Sequence, residues 1–137
     1  LVDTIKNVVA KDTPFLGICL GLQLLFKESE ETPGAEGLNL LPGKIFKIPA
    51  KEGFKIPHMG WNSLNVKDNA RLFAGINVYF VHSYYLKADN DDIVAASTEY
   101  STHIHASVEK GNLFACQFHP EKSSETGLRI LKNFAEL

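Results

Sequence analysis

The feature that most constrains this chain is a cysteine, Cys19, with glycines two residues away on either side, at Gly17 and Gly21. The apolar run at 15–18 predicts a short buried strand, and leucines at helical spacing follow the cysteine. The glycines allow a sharp turn and a close approach of the helix to the strand, so the cysteine side chain projects from the top edge of a sheet. This nucleophile elbow predicts an enzyme that forms a covalent intermediate on Cys19.

The remaining pattern predicts a single mixed α/β domain over residues 1–137, with a sheet flanked by helices. Apolar periodicity predicts helices over 1–11, after Cys19 and over 125–137, and one helical turn over 70–74. Strands are predicted over 44–48, 53–57, 60–64, 77–82, 93–98, 103–109 and 112–118. Because the later strands follow one another without helices between them, we expect an antiparallel extension of the sheet.

Composition limits the classes of binding partner and the cellular compartments that suit this chain. The 137 residues carry a net charge of −2 and no basic block, so nothing in the charge favours nucleic acid or an anionic membrane as a partner. No apolar stretch reaches the length of a transmembrane span. Two cysteines do not make a disulfide framework, which favours a reducing, cytoplasmic setting.

A candidate base for Cys19 lies near the other end of the chain, in the segment Gln-Phe-His-Pro-Glu at 117–121. Residues two apart in an extended chain point the same way, so Glu121 can reach the His119 ring. A carboxylate on one imidazole nitrogen leaves the other free to take a proton from a thiol. Cys19, His119 and Glu121 are therefore the predicted catalytic residues.

The start of the helix adds two expectations for the nucleophile. The backbone N–H of Leu20, directly after Cys19, is the predicted donor to a developing oxyanion. An ordinary cysteine has a pKa of about 8.5, and both a helix start and a neighbouring imidazolium favour its thiolate. We expect both influences at Cys19.

Other titratable residues are interpreted structurally. A lone cysteine is usually a small buried hydrophobe, and this is the prediction for Cys116, which lies in mid-strand without a glycine turn. His103 and His105 lie two apart on a predicted strand, but two ligands do not complete a zinc site, so we expect no metal and no cofactor. The glutamates at 28, 30 and 31 are interpreted as a solvated helix end.

The segments Gly-Ile-Cys-Leu-Gly-Leu-Gln at 17–23 and His-Pro-Glu at 119–121 together resemble the class I, or triad, glutamine amidotransferases. The segments Pro-His-Met-Gly-Trp-Asn at 57–62 and Tyr-Phe-Val-His-Ser-Tyr-Tyr at 79–85 narrow the resemblance. They look like the glutaminase subunits of imidazole glycerol phosphate synthase, from histidine biosynthesis. The resemblance runs from about Pro14 to the C-terminus.

This resemblance implies hydrolysis of L-glutamine to glutamate and ammonia through a thioester on Cys19. It also implies a heterodimer with a cyclase subunit, a (β/α)8 barrel that receives the ammonia. The residues implied for glutamine binding are Gly21, Gln23, Ser83 and Tyr84. The residues implied for the partner interface are His58, Met59, Trp61 and Asn62. Trp61 suits an interface because aromatic anchors dominate interfaces, with a core position as its alternative.

One departure from the family concerns the start of the chain. The family begins with a strand, a helix and a loop that supplies a second oxyanion donor, and this chain has no counterpart before Cys19. We therefore expect an N-terminally incomplete domain over 1–137, with the isolated chain weakly active or inactive. Three alternatives stay open: a related glutaminase serving another synthase such as a sugar-aminating one, a non-catalytic interaction module, and a different cysteine hydrolase.

Overall fold

The computed structural model describes all of residues 1–137. The helices are α1 (Val2–Ala10), α2 (Leu20–Gln23) and α3 (Ser124–Ala135), with short 3-10 helices at Asp91–Ile93 and Pro120–Lys122. The strands are β1 (Phe15–Ile18), β2 (Glu28–Ser29), β3 (Gly43–Lys47), β4 (His58–Ser63), β5 (Asn65–Val66), β6 (Asn77–His82), β7 (Tyr84–Ala88), β8 (Val94–Tyr100), β9 (Thr102–Lys110) and β10 (Leu113–Cys116). None of the helices has the length and apolar character needed to cross a membrane.

The largest sheet has five strands in the order β1-β10-β9-β8-β5. Strands β1 and β10 are parallel, with Ile18 opposite Cys116, and the other neighbours are antiparallel. The tight turn between β9 and β10 uses Gly111 at a φ of +59°, as the predicted hairpin there requires. Parallel pairing brings the carboxyl ends of β1 and β10 to the same edge, so the residues that follow each strand are neighbours.

Two smaller sheets lie beside the large one, in the orders β2-β3-β7 and β4-β6. Strand β6 is tied to the segment after β10, because the His119 N–H donates to the Tyr79 carbonyl at 3.0 Å. Strand β7 is tied to β9, because the Ala88 N–H donates to Nδ1 of His105 at 2.9 Å. The mixed α/β class is therefore confirmed, with three separate sheets in place of one continuous sheet.

The core beneath the carboxyl edge of β1 and β10 is aromatic. Phe80, Phe114 and Phe118 have no exposed surface and pack with Ile130 of α3. Burying a side chain of this size stabilises a fold by about 1.5–3 kcal/mol. Cys116 is also fully buried in this cluster, which confirms its interpretation as a core residue.

Several predicted elements are different in the structure. The helix after Cys19 is a single turn, and β2 follows it. No helical turn forms over 70–74, because the N–H groups of Arg71 and Leu72 donate to the Glu109 carboxylate at 2.8 and 3.0 Å. Those bonds replace the helical ones that the sequence pattern predicted there.

The segment 53–57 is a turn and not a strand. The Tyr100 hydroxyl donates to the Lys55 carbonyl at 2.6 Å, and the Phe54 ring meets the Tyr100 ring edge-on at 5.0 Å. Strand β7 was not predicted from the sequence, because it follows β6 after the single residue Ser83 and has no turn-forming cluster to mark its start.

The packing of α2 against β1 makes the two elbow glycines unequal. A Cβ on Gly17 would lie 2.7 Å from the Gly21 carbonyl oxygen, whereas a Cβ on Gly21 would meet nothing within 4 Å. We expect Gly17→Ala to lower the free energy of unfolding by about 1–3 kcal/mol, because backbone atoms must move apart. Gly21→Ala is the matched control and should not destabilise, since alanine favours a helix over glycine. Urea unfolding would measure both, and equal midpoints for the two variants would contradict the close packing.

Candidate active site

Cys19 has the backbone conformation of an elbow. Its φ is +54° and its ψ −104°, in a region that non-glycine residues rarely occupy and that costs about 1–3 kcal/mol. Its N–H donates to the Cys116 carbonyl at 2.8 Å, and its carbonyl accepts from the Leu22 N–H at 3.1 Å. The first bond continues the β1–β10 pairing and the second begins α2, so the strained residue is held from both sides.

The thiol of Cys19 lies between two polar groups. The side-chain amide of Gln117 donates to Sγ at 3.6 Å, and Sγ donates to the Val81 carbonyl at 3.8 Å. Gln117 is fully buried. Its place in the site was not predicted from the sequence, although it lies only two residues before His119. The chain bends at 117 and 118, directly after β10, so strand alternation does not account for its position.

Burial is the largest influence on the Cys19 thiol and raises its pKa above the ordinary value. Hydrogen bonds from the Leu20 N–H and from Gln117 lower the pKa, and the charges of Glu121 and Glu31 raise it. The helix start therefore favours the thiolate as expected, but burial outweighs it. The resting nucleophile is a protonated thiol that needs a base.

The His119 ring is paired with Glu121, whose carboxylate lies 2.6 Å from Nδ1. Because a carboxylate accepts, Nδ1 carries the proton and Nε2 is left as the acceptor. The Ser123 hydroxyl donates to the His119 carbonyl at 2.6 Å and accepts from the Tyr79 N–H at 3.0 Å, which fastens this turn to β6. His119 and Cys19 lie at the same sheet edge, but no hydrogen bond joins the ring to the thiol.

Two of the residues implied for glutamine binding, Gln23 and Tyr84, belong to one hydrogen-bonded group with Gln117. The Gln23 amide nitrogen donates to the Tyr84 carbonyl at 3.2 Å and to the Gln117 amide oxygen at 3.0 Å. The Ser83 carbonyl accepts from the Ile48 N–H at 2.9 Å, which holds the connection between β6 and β7. Gly21 lies in α2 with open space beside it.

A cavity of about 250 Å³ opens next to the elbow, with Leu20, Gln23 and Glu31 in its wall. Glu31 is exposed, as the sequence suggested, but it follows β2 and does not end a helix. It lines this cavity, and its charge raises the pKa of the thiol. Only the fold reveals this position, because β2 turns the chain back beside α2. A larger surface cavity of about 510 Å³ lies nearby and contains no residue of the elbow.

The four residues implied for the partner interface lie on β4, where alternate side chains point to opposite faces. Met59 and Trp61 are 62% and 53% exposed, and they lie opposite Val81 and Tyr79 of β6. We call Met59, Trp61, Tyr79 and Val81 together the ribbon face. Trp61 is therefore not a core residue. His58 is 2% exposed and lies on the other side of β4, so it does not belong to the ribbon face.

Asn62, the fourth of these residues, shares the inner side of β4 with His58 and donates to the Glu99 carbonyl at 3.1 Å. The remaining histidines have partners of their own. His103 pairs with the Glu99 carboxylate, and His105 accepts the Ala88 N–H through Nδ1. No group of three or more His, Cys, Asp or Glu side chains comes together as a candidate metal site.

Comparison with known proteins identifies relatives along the whole chain. The family model described as glutamine amidotransferase class-I matches residues 1–137. The protein described as imidazole glycerol phosphate synthase subunit HisH from Moorella thermoacetica is 50% identical over 141 residues, covering 100% of this chain and 66% of that protein. The one of the same description from Caldanaerobacter subterraneus is 50% identical over 100% of this chain and 68% of that protein. The chain thus spans about two thirds of the length of these relatives.

A solved structure described as PurLQS from Thermotoga maritima has the same fold. It matches with a TM-score of 0.73 at 20% identity, over 98% of this chain and 66% of that one. At this identity the likeness concerns the fold alone.

The buried pair His58 and His82 makes stability depend on pH. Burial is the largest cause that lowers the pKa of each ring from 6.5 to about 4. Between about pH 6.5 and pH 4 the unfolded chain therefore binds protons at these two histidines that the folded chain does not bind. The free energy of unfolding falls as the pH is lowered across this window. Two such protons give a slope of up to about 2.7 kcal/mol per pH unit. Urea unfolding at pH 7, 6 and 5 would measure it.

His58→Phe should make this pH dependence shallower by about one proton. His103→Gln, at an exposed position on β9 of the five-stranded sheet, should leave it unchanged. Equal slopes for wild type and His58→Phe would contradict the assignment to the buried pair.

Proposed function

The chain belongs to the class I glutamine amidotransferase family, and we propose that it acts as the glutaminase part of an imidazole glycerol phosphate synthase in histidine biosynthesis. The reaction is hydrolysis of L-glutamine to glutamate and ammonia. One observation carries the proposal: the parallel β1–β10 pair sets an elbow cysteine and a hydrogen-bonded His119–Glu121 pair at the same sheet edge. The relatives that match the whole chain support the choice of synthase.

In the proposed mechanism, His119 acts first as a base. Its Nε2 takes the thiol proton of Cys19, and the sulfur attacks the carboxamide carbon of glutamine to form a tetrahedral oxyanion. The Leu20 N–H donates to that oxyanion. The carbon–nitrogen bond then breaks, His119 gives its proton to the leaving nitrogen, and ammonia departs with a thioester left on Cys19.

The second half of the reaction repeats these roles of His119, with water as the nucleophile and the Cys19 sulfur as the leaving group. The same ring takes a proton from water, the hydroxide attacks the thioester carbonyl, and the carbon–sulfur bond breaks to release glutamate. The sulfur then recovers its proton from His119. Glu121 holds the ring through Nδ1 in both halves. Hydrogen bonds between nucleophile and base are often long in free enzymes and tighten with substrate, which fits the open ring–thiol contact here.

Glutamine is proposed to lie in the cavity beside the elbow. Gln23 and the backbone of Tyr84 lie within one hydrogen-bonded group next to the thiol, and Ser83 directly precedes Tyr84. Gly21 leaves room along α2, and the Glu31 carboxylate supplies a charge opposite to that of the substrate's α-ammonium group. The reaction is proposed to take place in the cytoplasm, where both free cysteines stay reduced.

A glutamine-derived diazo-ketone tests the nucleophile. We expect mass spectrometry to find one adduct, on Cys19, because this thiol faces the site while Cys116 is fully buried. The adduct should be absent in Cys19→Ser and retained in Cys116→Ala, the matched control. His119→Asn should slow labelling by about 100-fold or more, as expected for loss of a general base. Equal labelling of the two cysteines, or no labelling of Cys19 in the assembled synthase, would contradict the proposal.

Ammonia is proposed to pass to a cyclase subunit, a (β/α)8 barrel, bound at the ribbon face. This face combines an exposed methionine and tryptophan with an aromatic neighbour, the composition found at interface anchors.

Truncation of the tryptophan tests this surface. We expect Trp61→Ala to weaken binding of the cyclase subunit by more than about fivefold, equivalent to more than about 1 kcal/mol. Val2→Ala is the control, since Val2 is 51% exposed against 53% for Trp61 but lies on α1. Calorimetric titration would give both affinities, and an unchanged affinity for Trp61→Ala would place the interface elsewhere.

A further inference from the structure

The Tyr84 carbonyl accepts two side-chain hydrogen bonds, one from His82 and one from Gln23. Nδ1 of His82 lies 2.8 Å from it, and the Gln23 amide nitrogen lies 3.2 Å from it. A carbonyl oxygen can only accept, so His82 must carry its proton on Nδ1. Its Nε2 is then a bare acceptor if the ring is neutral.

That acceptor faces a second histidine. Nδ1 of His58 lies 3.0 Å from Nε2 of His82, so His58 must donate through Nδ1. Nε2 of His58 in turn faces the side-chain amide of Asn62 at 3.5 Å, a group that also donates to the Glu99 carbonyl. One arrangement of protons, with both rings neutral and protonated on Nδ1, satisfies every contact.

The surroundings keep both rings neutral. His58 and His82 are 2% and 6% exposed. The His58 ring is stacked on the rings of Tyr100 and Phe80, with centroid distances of 3.8 Å and 4.7 Å. Burial lowers the pKa of each ring to about 4, so neither is charged near neutral pH. No carboxylate bonds to either ring that could hold a proton there.

The same hydrogen bonds continue to the nucleophile. Beyond Tyr84, Gln23 donates to the Gln117 amide oxygen at 3.0 Å, and Gln117 donates to Sγ of Cys19 at 3.6 Å. The proposed chemistry uses neither His58 nor His82. Yet these rings occupy buried positions, behind the ribbon face, where apolar side chains would serve a merely structural purpose.

We propose that His82, held in a single tautomer by His58, is a positioning residue for the glutamine subsite. By fixing the Tyr84 carbonyl it fixes Gln23, and through Gln23 the side chain of Gln117. Without the donor on His58, His82 can move its proton to Nε2, and the Tyr84 carbonyl then loses one of its two partners. This inference rests on the proposed glutaminase function.

The tautomers can be read without any activity measurement. Two-bond proton–nitrogen correlation spectra of the chain with ¹⁵N-labelled histidine distinguish the two ring nitrogens of each imidazole. We expect His58 and His82 both to show the neutral Nδ1–H form, although free imidazole side chains in water favour Nε2–H. In His58→Leu, His82 should lose the pure Nδ1–H form. A wild-type spectrum with the proton on Nε2 of His82 would overturn the inference, whether or not any variant folds.

Kinetics of glutamine hydrolysis by the assembled synthase separate positioning from packing. We expect His82→Leu to raise the KM for glutamine about five- to tenfold, the effect of one lost hydrogen bond, with a smaller change in kcat. His82→Asn places an amide N–H near the former Nδ1 and should restore most of the KM. His58→Asn should likewise perform better than His58→Leu, because only the asparagine can donate to His82.

The outcomes separate this inference from the proposed function. If the wild-type synthase does not hydrolyse glutamine, both fail. If it does, and His82→Leu and His82→Asn have the same KM, only the positioning role fails, since packing alone would then account for the pair.

Discussion

The hydrogen bond from the Cys19 N–H to the Cys116 carbonyl extends the parallel pairing of β1 and β10 by one residue, at 2.8 Å. That bond holds Cys19 at a positive φ, and α2 packs so closely on β1 that a Cβ on Gly17 would lie 2.7 Å from the Gly21 carbonyl oxygen. Because the two strands are parallel, the segment after β10 leaves the sheet beside the elbow. This pairing brings Gln117 into contact with the nucleophile and places His119 at the same sheet edge, above the buried phenylalanines of the core.

At this sheet edge, burial of the Cys19 thiol opposes its activation as a thiolate. Enclosing the thiol raises its pKa, and Glu121 and Glu31 raise it further, although the Leu20 N–H and Gln117 act in the other direction. The half-buried neutral thiol becomes a nucleophile only when a base takes its proton. The carboxylate that raises the thiol pKa is also the one that orients the His119 ring, so Glu121 disfavours the free thiolate while it prepares the base.

Strand alternation gives the β4–β6 pair two different sides. Outward residues such as Met59 and Trp61 are exposed apolar side chains, while His58 and His82 on the inner side are buried and bonded to each other. One thin ribbon thus lies between the proposed partner surface and the hydrogen bonds that end at Cys19. The inner histidines carry no charge near neutral pH, so this connection is made of hydrogen bonds and stacked rings.

The sequence by itself determined the local features: the elbow around Cys19, the contact between the His119 ring and Glu121, the core role of Cys116 and most strands. Each of these depends on neighbours within a few residues. The sequence did not determine Gln117, Glu31 or the inner position of His58. Those depend on which strands pair and which way each faces, and the pairing joins residues far apart in the chain. The missing turn at 70–74 has the same cause, since the Glu109 carboxylate that replaces its helical bonds comes from β9. Tertiary structure decided these points because burial and hydrogen-bond satisfaction act on the whole fold and outweigh local preference.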